Sequence, residues 1–151
     1  MYQKVLVPLD GSKLAECALT HVKRMVKEGF AGEVTLLNVV RIDAPYSELY
    51  GKHFDMNGMR KAYFNAARKY LGDVEARLGT EGIRVKTELV EHNRPAPAIT
   101  DYATKNGIDL IVIATHGYTG LKKLMLGSVA LSILHHSRTP VLLIRPEASR
   151  S

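Results

Sequence analysis

Four short apolar runs constrain this chain most: Lys4 to Leu9, Val34 to Val40, Leu110 to Ala114 and Val141 to Ile144. Each is too short for a helix and too uniformly apolar for a sheet with one wet face, so each is expected to be a strand covered on both sides. Pro8 marks the end of the first, and Pro140 and Pro146 bracket the last. A fifth strand is expected from about Arg84 to Val90, where Val85, Thr87 and Leu89 alternate with Lys86 and Glu88 as in a more exposed edge position.

Helical stripes separate these runs. Asp10-Gly11-Ser12 supplies a turn and an N-cap, and Ala15, Ala18, Leu19, Val22 and Val26 then share one helical face until Gly29. Tyr63, Ala66, Ala67, Tyr70, Leu71, Val74 and Leu78 form a longer stripe that ends near Gly79 and Gly82. Pro95 opens a third helix, with Ile99, Tyr102 and Ala103 inward and Asn106-Gly107 closing it, and a fourth runs from about Gly127 to Ser137. Strands alternating with helices, joined by right-handed crossovers, predict one α/β domain over residues 1–151: a three-layer α/β/α sandwich around a parallel sheet. The connection from Arg41 to about Gly58 has no clear periodicity and is longer than most, which fits either a lid or a disordered segment.

Composition narrows the function classes. With 46% hydrophobic and 24% charged residues, the 151-residue chain can bury a core without staples. The lone Cys17 cannot form an internal disulfide and no leader-like segment precedes the first strand, so a cytoplasmic location is expected. No apolar run approaches the roughly 20 residues of a membrane span, so membrane insertion is not expected. The net charge of +6 favours anionic partners, but the basic residues are scattered and there is no tryptophan, so nucleic-acid binding is not expected.

In a sheet of this kind the helix N-termini collect along the rim at the strands' carboxyl ends, and ligands bind where connections diverge to opposite faces. The strands ending at Leu9-Asp10 and at Ala114-Thr115-His116-Gly117 are the candidates to flank that point. Gly117 and Gly127 would let backbone N–H groups approach phosphate oxygens, and Ser128 can cap the last helix and donate to an anion. Asp10 fits either a ribose acceptor or the start of an Asp-Gly turn, and Asn38 and Val39 either border a base or pack the core. A larger side chain at Gly127 is expected to block phosphate approach while leaving the fold cooperative. His135 and His136 are helix neighbours about 100° apart with no further ligand at i+3 or i+4, which argues against a metal site.

Val5 through Ser12, Asp109 through Gly117, and Gly127-Ser128-Val129 with Pro140 through Ile144 together resemble the universal stress protein family over nearly the whole chain. Its nucleotide-binding branch carries Gly, two residues, Gly, nine residues, then Gly and Ser or Thr. Ala114, Gly117, Gly127 and Ser128 occupy these positions, with alanine replacing the first glycine. The resemblance implies an adenine nucleotide alpha hydrolase-like fold with strand order 3-2-1-4-5. It also implies a site for ATP or another adenine nucleotide (AMP, ADP or cyclic AMP), with Mg²⁺ accompanying ATP. By position, Asp10 and the Ala114 backbone would hold the ribose, and Pro8 and Val39 would border the adenine. Gly117, Gly127, Ser128 and Val129 would cradle the phosphates, with Thr115 and His116 lining the loop. The family also implies a homodimer that pairs the last strands, Val141 to Ile144.

Three functions follow from this: a nucleotide-responsive regulator in the stress response, a slow Mg²⁺-dependent ATP hydrolase, or a nucleotide-free dimerisation module. The hydrolase would draw on His116, Ser128, Lys122 and Lys123, but no dedicated base stands out, so the regulator is the expectation.

Overall fold

A computed structural model of the protein describes residues 1–42, 56–116 and 126–147. Five strands, β1 (Tyr2–Pro8), β2 (Ala31–Val40), β3 (Lys86–Glu91), β4 (Leu110–Ala114) and β5 (Val141–Ile144), alternate with four helices, α1 (Cys17–Lys27), α2 (Met56–Thr80), α3 (Pro95–Lys105) and α4 (Ser128–His136). All strand pairs are parallel, in the order β3-β2-β1-β4-β5. β1 therefore runs down the centre, with Val7 level with Leu36 on one side and Leu6 level with Ile111 on the other.

Two cores cover the two faces of the sheet. Strand side chains Val5, Val7, Leu36 and Val112 pack against Ala18 and Val22 of α1 and Leu71, Val74 and Leu78 of α2. Their sequence neighbours Leu6, Leu37, Ile111 and Ile113 point the other way, against Ile99 and Ala103 of α3 and Ile133 of α4. Successive side chains on a strand face opposite ways, so runs this apolar must be sandwiched, as the sequence predicts. The first two crossovers use one face and the last two the other. The connections consequently diverge between β1 and β4, at the carboxyl rim.

Several boundaries differ from expectation. α1 starts at Cys17, not directly after Ser12, because a separate turn intervenes. The Asp10 carboxylate accepts from the Ser12 N–H at 2.9 Å and the Ser12 hydroxyl at 2.6 Å, and the Ser12 Oγ in turn accepts from the Ala15 N–H at 3.1 Å. Ser12 thus holds that turn rather than the helix itself. Of the connection from Arg41 to Gly58, Met56 to Gly58 already belong to α2, and residues 43–55 lie outside the described part. Strand β3 sits at a sheet edge, in agreement with its alternating pattern.

Glu16, at the N-cap position of α1, makes no capping bond, because its carboxylate is used across the interface with α2. The Tyr70 hydroxyl donates to it at 2.8 Å and the Arg77 Nη2 at 2.8 Å. Burial first, and then the hydrogen bond to the Glu16 carboxylate, push the Tyr70 hydroxyl well above the ordinary tyrosine range. A group whose folded pKa is raised contributes stability below its unfolded value and loses it as pH rises beyond that value. Stability should therefore fall from about pH 10 upward, as the unfolded chain's tyrosine ionises first. Urea unfolding of the wild type and Tyr70→Phe from pH 8 to 11 checks this: the variant should lose the part of the alkaline decline that Tyr70 causes. Identical slopes would contradict it.

Candidate functional site

The point where β1 and β4 part company opens into a cavity of about 600 Å³, within the ordinary size range of small-molecule sites. Pro8 and Asp10 enter it from the exit of β1, and Val39 from the end of β2. Ala114, Thr115 and His116 come from the end of β4, and Gly127, Ser128 and Val129 from the start of α4. Residues drawn from four separate stretches of chain thus line one cavity. Gly117 lies outside the described residues.

The exit of β1 is held in place by its neighbour. The Leu9 N–H donates to the Leu37 carbonyl at 2.9 Å, and the Asn38 side-chain amide donates to the Leu9 carbonyl at 2.9 Å. Gly11 follows with φ at 91°, a conformation that side chains resist, so the chain turns sharply there. Asp10 takes the turn-starting role, one of the two considered for it. Its Oδ1 locks the turn through Ser12, while no bond to Oδ2 is found among the described residues, and the residue borders the cavity.

On the other side, the Gly127 N–H donates to the Thr115 carbonyl at 2.7 Å. This corrects the expectation that the Gly127 N–H is available to a phosphate. Glycine is also needed there for a second reason: a Cβ at 127 would lie 2.9 Å from the Thr115 carbonyl oxygen. Gly127, not Ser128, is the N-cap residue of α4, with φ −61° and ψ 156°. The first intrahelical bond runs from the Leu131 N–H to the Gly127 carbonyl at 2.9 Å. The N–H groups of Ser128, Val129 and Ala130 therefore precede any intrahelical acceptor, and they mark the positive end of the helix dipole. Ala114, the replacement for glycine, sits where no positive φ is required. It pairs with Ile144 in the parallel ladder, an extended conformation that any residue adopts.

Some of the wall was not anticipated. Tyr63 and Ala67 reach the cavity because α2, at 25 residues, is roughly 37 Å long and overhangs the rim. Tyr63 is 44% exposed there. Pro95 and Ile99 of α3 close the opposite flank, and Arg41, just past β2, is the single Lys or Arg among the described lining residues. The signal for Tyr63 was present in the sequence: a helical stripe longer than its flanking strands must project past one end of the sheet.

Among the described residues the cavity therefore combines an apolar floor, one carboxylate, one guanidinium and a helix N-terminus whose first three amides have no intrahelical acceptor. No group of three metal-ligating side chains occurs among the described residues. The family model described as the universal stress protein family matches residues 1–145. The chain belongs to that family. Among relatives, universal stress protein MJ0577 of Methanocaldococcus jannaschii is 30% identical over 161 aligned residues, which cover 99% of this chain and 98% of that one. The solved structure of MJ0577 superposes with a TM-score of 0.78 at 32% identity, covering 97% and 98% of the two chains. Two more distant structures share the fold of this universal stress protein. One is a universal stress protein in complex with cAMP (TM-score 0.58, 20% identity, 97% and 98% covered). The other is an Arabidopsis thaliana family member with AMP bound (TM-score 0.68, 18% identity, 97% and 93% covered).

Proposed function

We propose that this universal stress protein binds an adenine nucleotide, ATP foremost, in the cavity between β1 and β4 and acts as a nucleotide-responsive regulator. The observation that carries the proposal is that one cavity is lined by both the Asp10 carboxylate and the start of α4, whose first three amides have no intrahelical acceptor. A carboxylate suits ribose hydroxyls, and a helix N-terminus suits phosphate oxygens. Pro8 and Val39 flank the base, the Ala114 backbone meets the ribose, Thr115 and His116 line the loop, and Gly117, which lies outside the described residues, is proposed to help cradle the phosphates. Ser128 and Val129 donate to those phosphates, while Gly127 serves by holding the start of α4 against Thr115. AMP and cAMP complexes of two family members support the ligand class.

Three charge-assisted hydrogen bonds at about 1.5–3 kcal/mol each total about 4.5–9 kcal/mol before ordering costs, so contacts to the base and ribose must add to them to reach micromolar affinity, about 8 kcal/mol. Any Mg²⁺ would enter with the phosphates. Calorimetry with ATP, AMP and cyclic AMP tests the proposal, together with native mass spectrometry of the freshly purified protein. One ATP per chain supports it, and no heat with any of the three overturns it. Phosphate release followed over hours, with and without Mg²⁺, then separates a regulator (one turnover or fewer) from a hydrolase.

The protein also forms a homodimer through β5 under this proposal. β5 is a terminal strand of the sheet, and Leu142 on it is 39% exposed. An apolar edge strand invites pairing with another chain. Leu142→Glu should convert a two-chain species to a single chain in sedimentation. A wild type that sediments as a monomer at tens of micromolar would contradict the pairing.

A further inference from the structure

Where β2 ends, the cavity has an aromatic wall on α2 that no sequence motif marks. Tyr63, Ala67 and Tyr70 are spaced four and then three residues apart, so all three lie on one helical face. Tyr70 fixes where that face points: it packs against the core beneath α2, and its hydroxyl donates to Glu16 at 2.8 Å. Nearer the start of the helix the same face has left the core and lines the cavity with Tyr63 and Ala67. α2 starts at the carboxyl rim, and helical side chains lean toward the helix N-terminus, so the Tyr63 ring leans outward past the strand ends. The Arg60 Nε donates to the Glu91 carboxylate at 2.7 Å, which ties the first turns of α2 to the end of β3. That pair is exposed and adds little stability, and its part is to hold the overhang in place.

Two helical layers bracket this end of the cavity. α2 covers the sheet face that carries Val5 and Val7, and α3 covers the other, where Val39 packs with Ile99. A group entering past the end of β1 therefore meets Tyr63 and Ala67 on one side and Val39 and Ile99 on the other. A ring beside an alanine leaves a flat slot, and the group that fills a flat slot with apolar walls on both sides is a planar aromatic one. Tyr63 is 44% exposed, so a ligand that covers its ring removes apolar surface from water.

We propose that the Tyr63 ring stacks on the nucleobase and sets a preference for ligands that carry a planar aromatic base. This inference rests on the nucleotide proposal above and adds to it a contact from α2, apart from the strand ends and the start of α4. Every base has a π-face, so the contact selects for the presence of a base and leaves the choice among bases to other groups.

The test uses the full chain carrying 3-fluorotyrosine, with the Tyr63 ¹⁹F signal assigned by its loss in Tyr63→Phe. ATP and adenosine should shift that signal saturably, and inorganic tripolyphosphate should leave it in place. ATP binding with the Tyr63 signal unmoved would overturn the inference while sparing the nucleotide proposal. A signal moved by tripolyphosphate and not by adenosine would seat phosphates beside α2, with Arg41, and overturn the inference as well. Absence of binding by ATP and adenosine alike would overturn both. Calorimetry gives an independent readout. Tyr63→Ala should lower ATP affinity about 10-fold, low in the range for a base stacked on an aromatic ring, and leave tripolyphosphate affinity within about 2-fold. Tyr63→Phe should keep ATP affinity within about 2-fold, because the ring and not the hydroxyl makes the contact. Alanine suits an exposed helical position, so the fold survives the truncation. Unchanged ATP affinity in Tyr63→Ala would remove the base from α2.

Discussion

Replacing Ser128 by proline should lower ATP affinity on the order of 100-fold while leaving the fold as stable as before. Ser128 is the first residue of α4, the one helical position where proline is favoured, since its missing N–H has no intrahelical acceptor there. The preceding residue must be extended, and Gly127 already is, with ψ at 156°. The substitution removes both the Ser128 N–H and its hydroxyl. Two charge-assisted bonds at about 1.5 kcal/mol each amount to about 3 kcal/mol, slightly more than two powers of ten. Calorimetry with ATP and with adenosine, alongside thermal unfolding, measures this. Adenosine affinity should stay within about 2-fold of wild type, because the nucleoside lacks the group those donors meet. Unchanged ATP affinity in a folded Ser128→Pro protein would remove the phosphates from α4.

Gly127→Val should behave differently, losing stability and affinity together. Its Cβ would lie 2.9 Å from the Thr115 carbonyl oxygen, a backbone atom that cannot swing aside as a side chain can. The Gly127 bond to that carbonyl, 2.7 Å long, must stretch or break. Valine is also a poor N-cap residue, so a cost of about 2 kcal/mol is expected in urea unfolding. As the start of α4 moves away from β4, ATP affinity should fall about 10-fold or more. The variant is thus not the selective block to phosphate that its place in the glycine spacing predicts. Wild-type stability together with wild-type affinity would show that the contact between Thr115 and Gly127 is unimportant.

The layout of the molecule was readable because burial on both faces leaves an unmistakable mark. The uniform runs at Val5 to Leu9 and Leu110 to Ala114 could only be sandwiched strands, and the alternation at Val85 to Leu89 placed its strand at an edge. Local chemistry was less readable where one residue type serves two ends. Ser12 and Asp10 looked like the cap of α1, but they close a turn of their own, and α1 begins only after it. Gly127 looked like a phosphate-facing glycine. A further requirement for glycine comes from a carbonyl 12 positions earlier in the chain, a contact that no spacing rule contains. The His116 Nε2, buried without a hydrogen-bond partner among the described residues, was beyond reach for the same reason, since burial and hydrogen-bond partners belong to the folded chain alone.

The most direct test of the central claim is a crystal structure of the full chain with ATP. Phosphate oxygens are predicted at about 3 Å from the backbone nitrogens of Ser128, Val129 and Ala130, with a ribose hydroxyl on Asp10. A nucleotide seated elsewhere, or those three amides bonded to the protein itself with ATP present, would contradict the account.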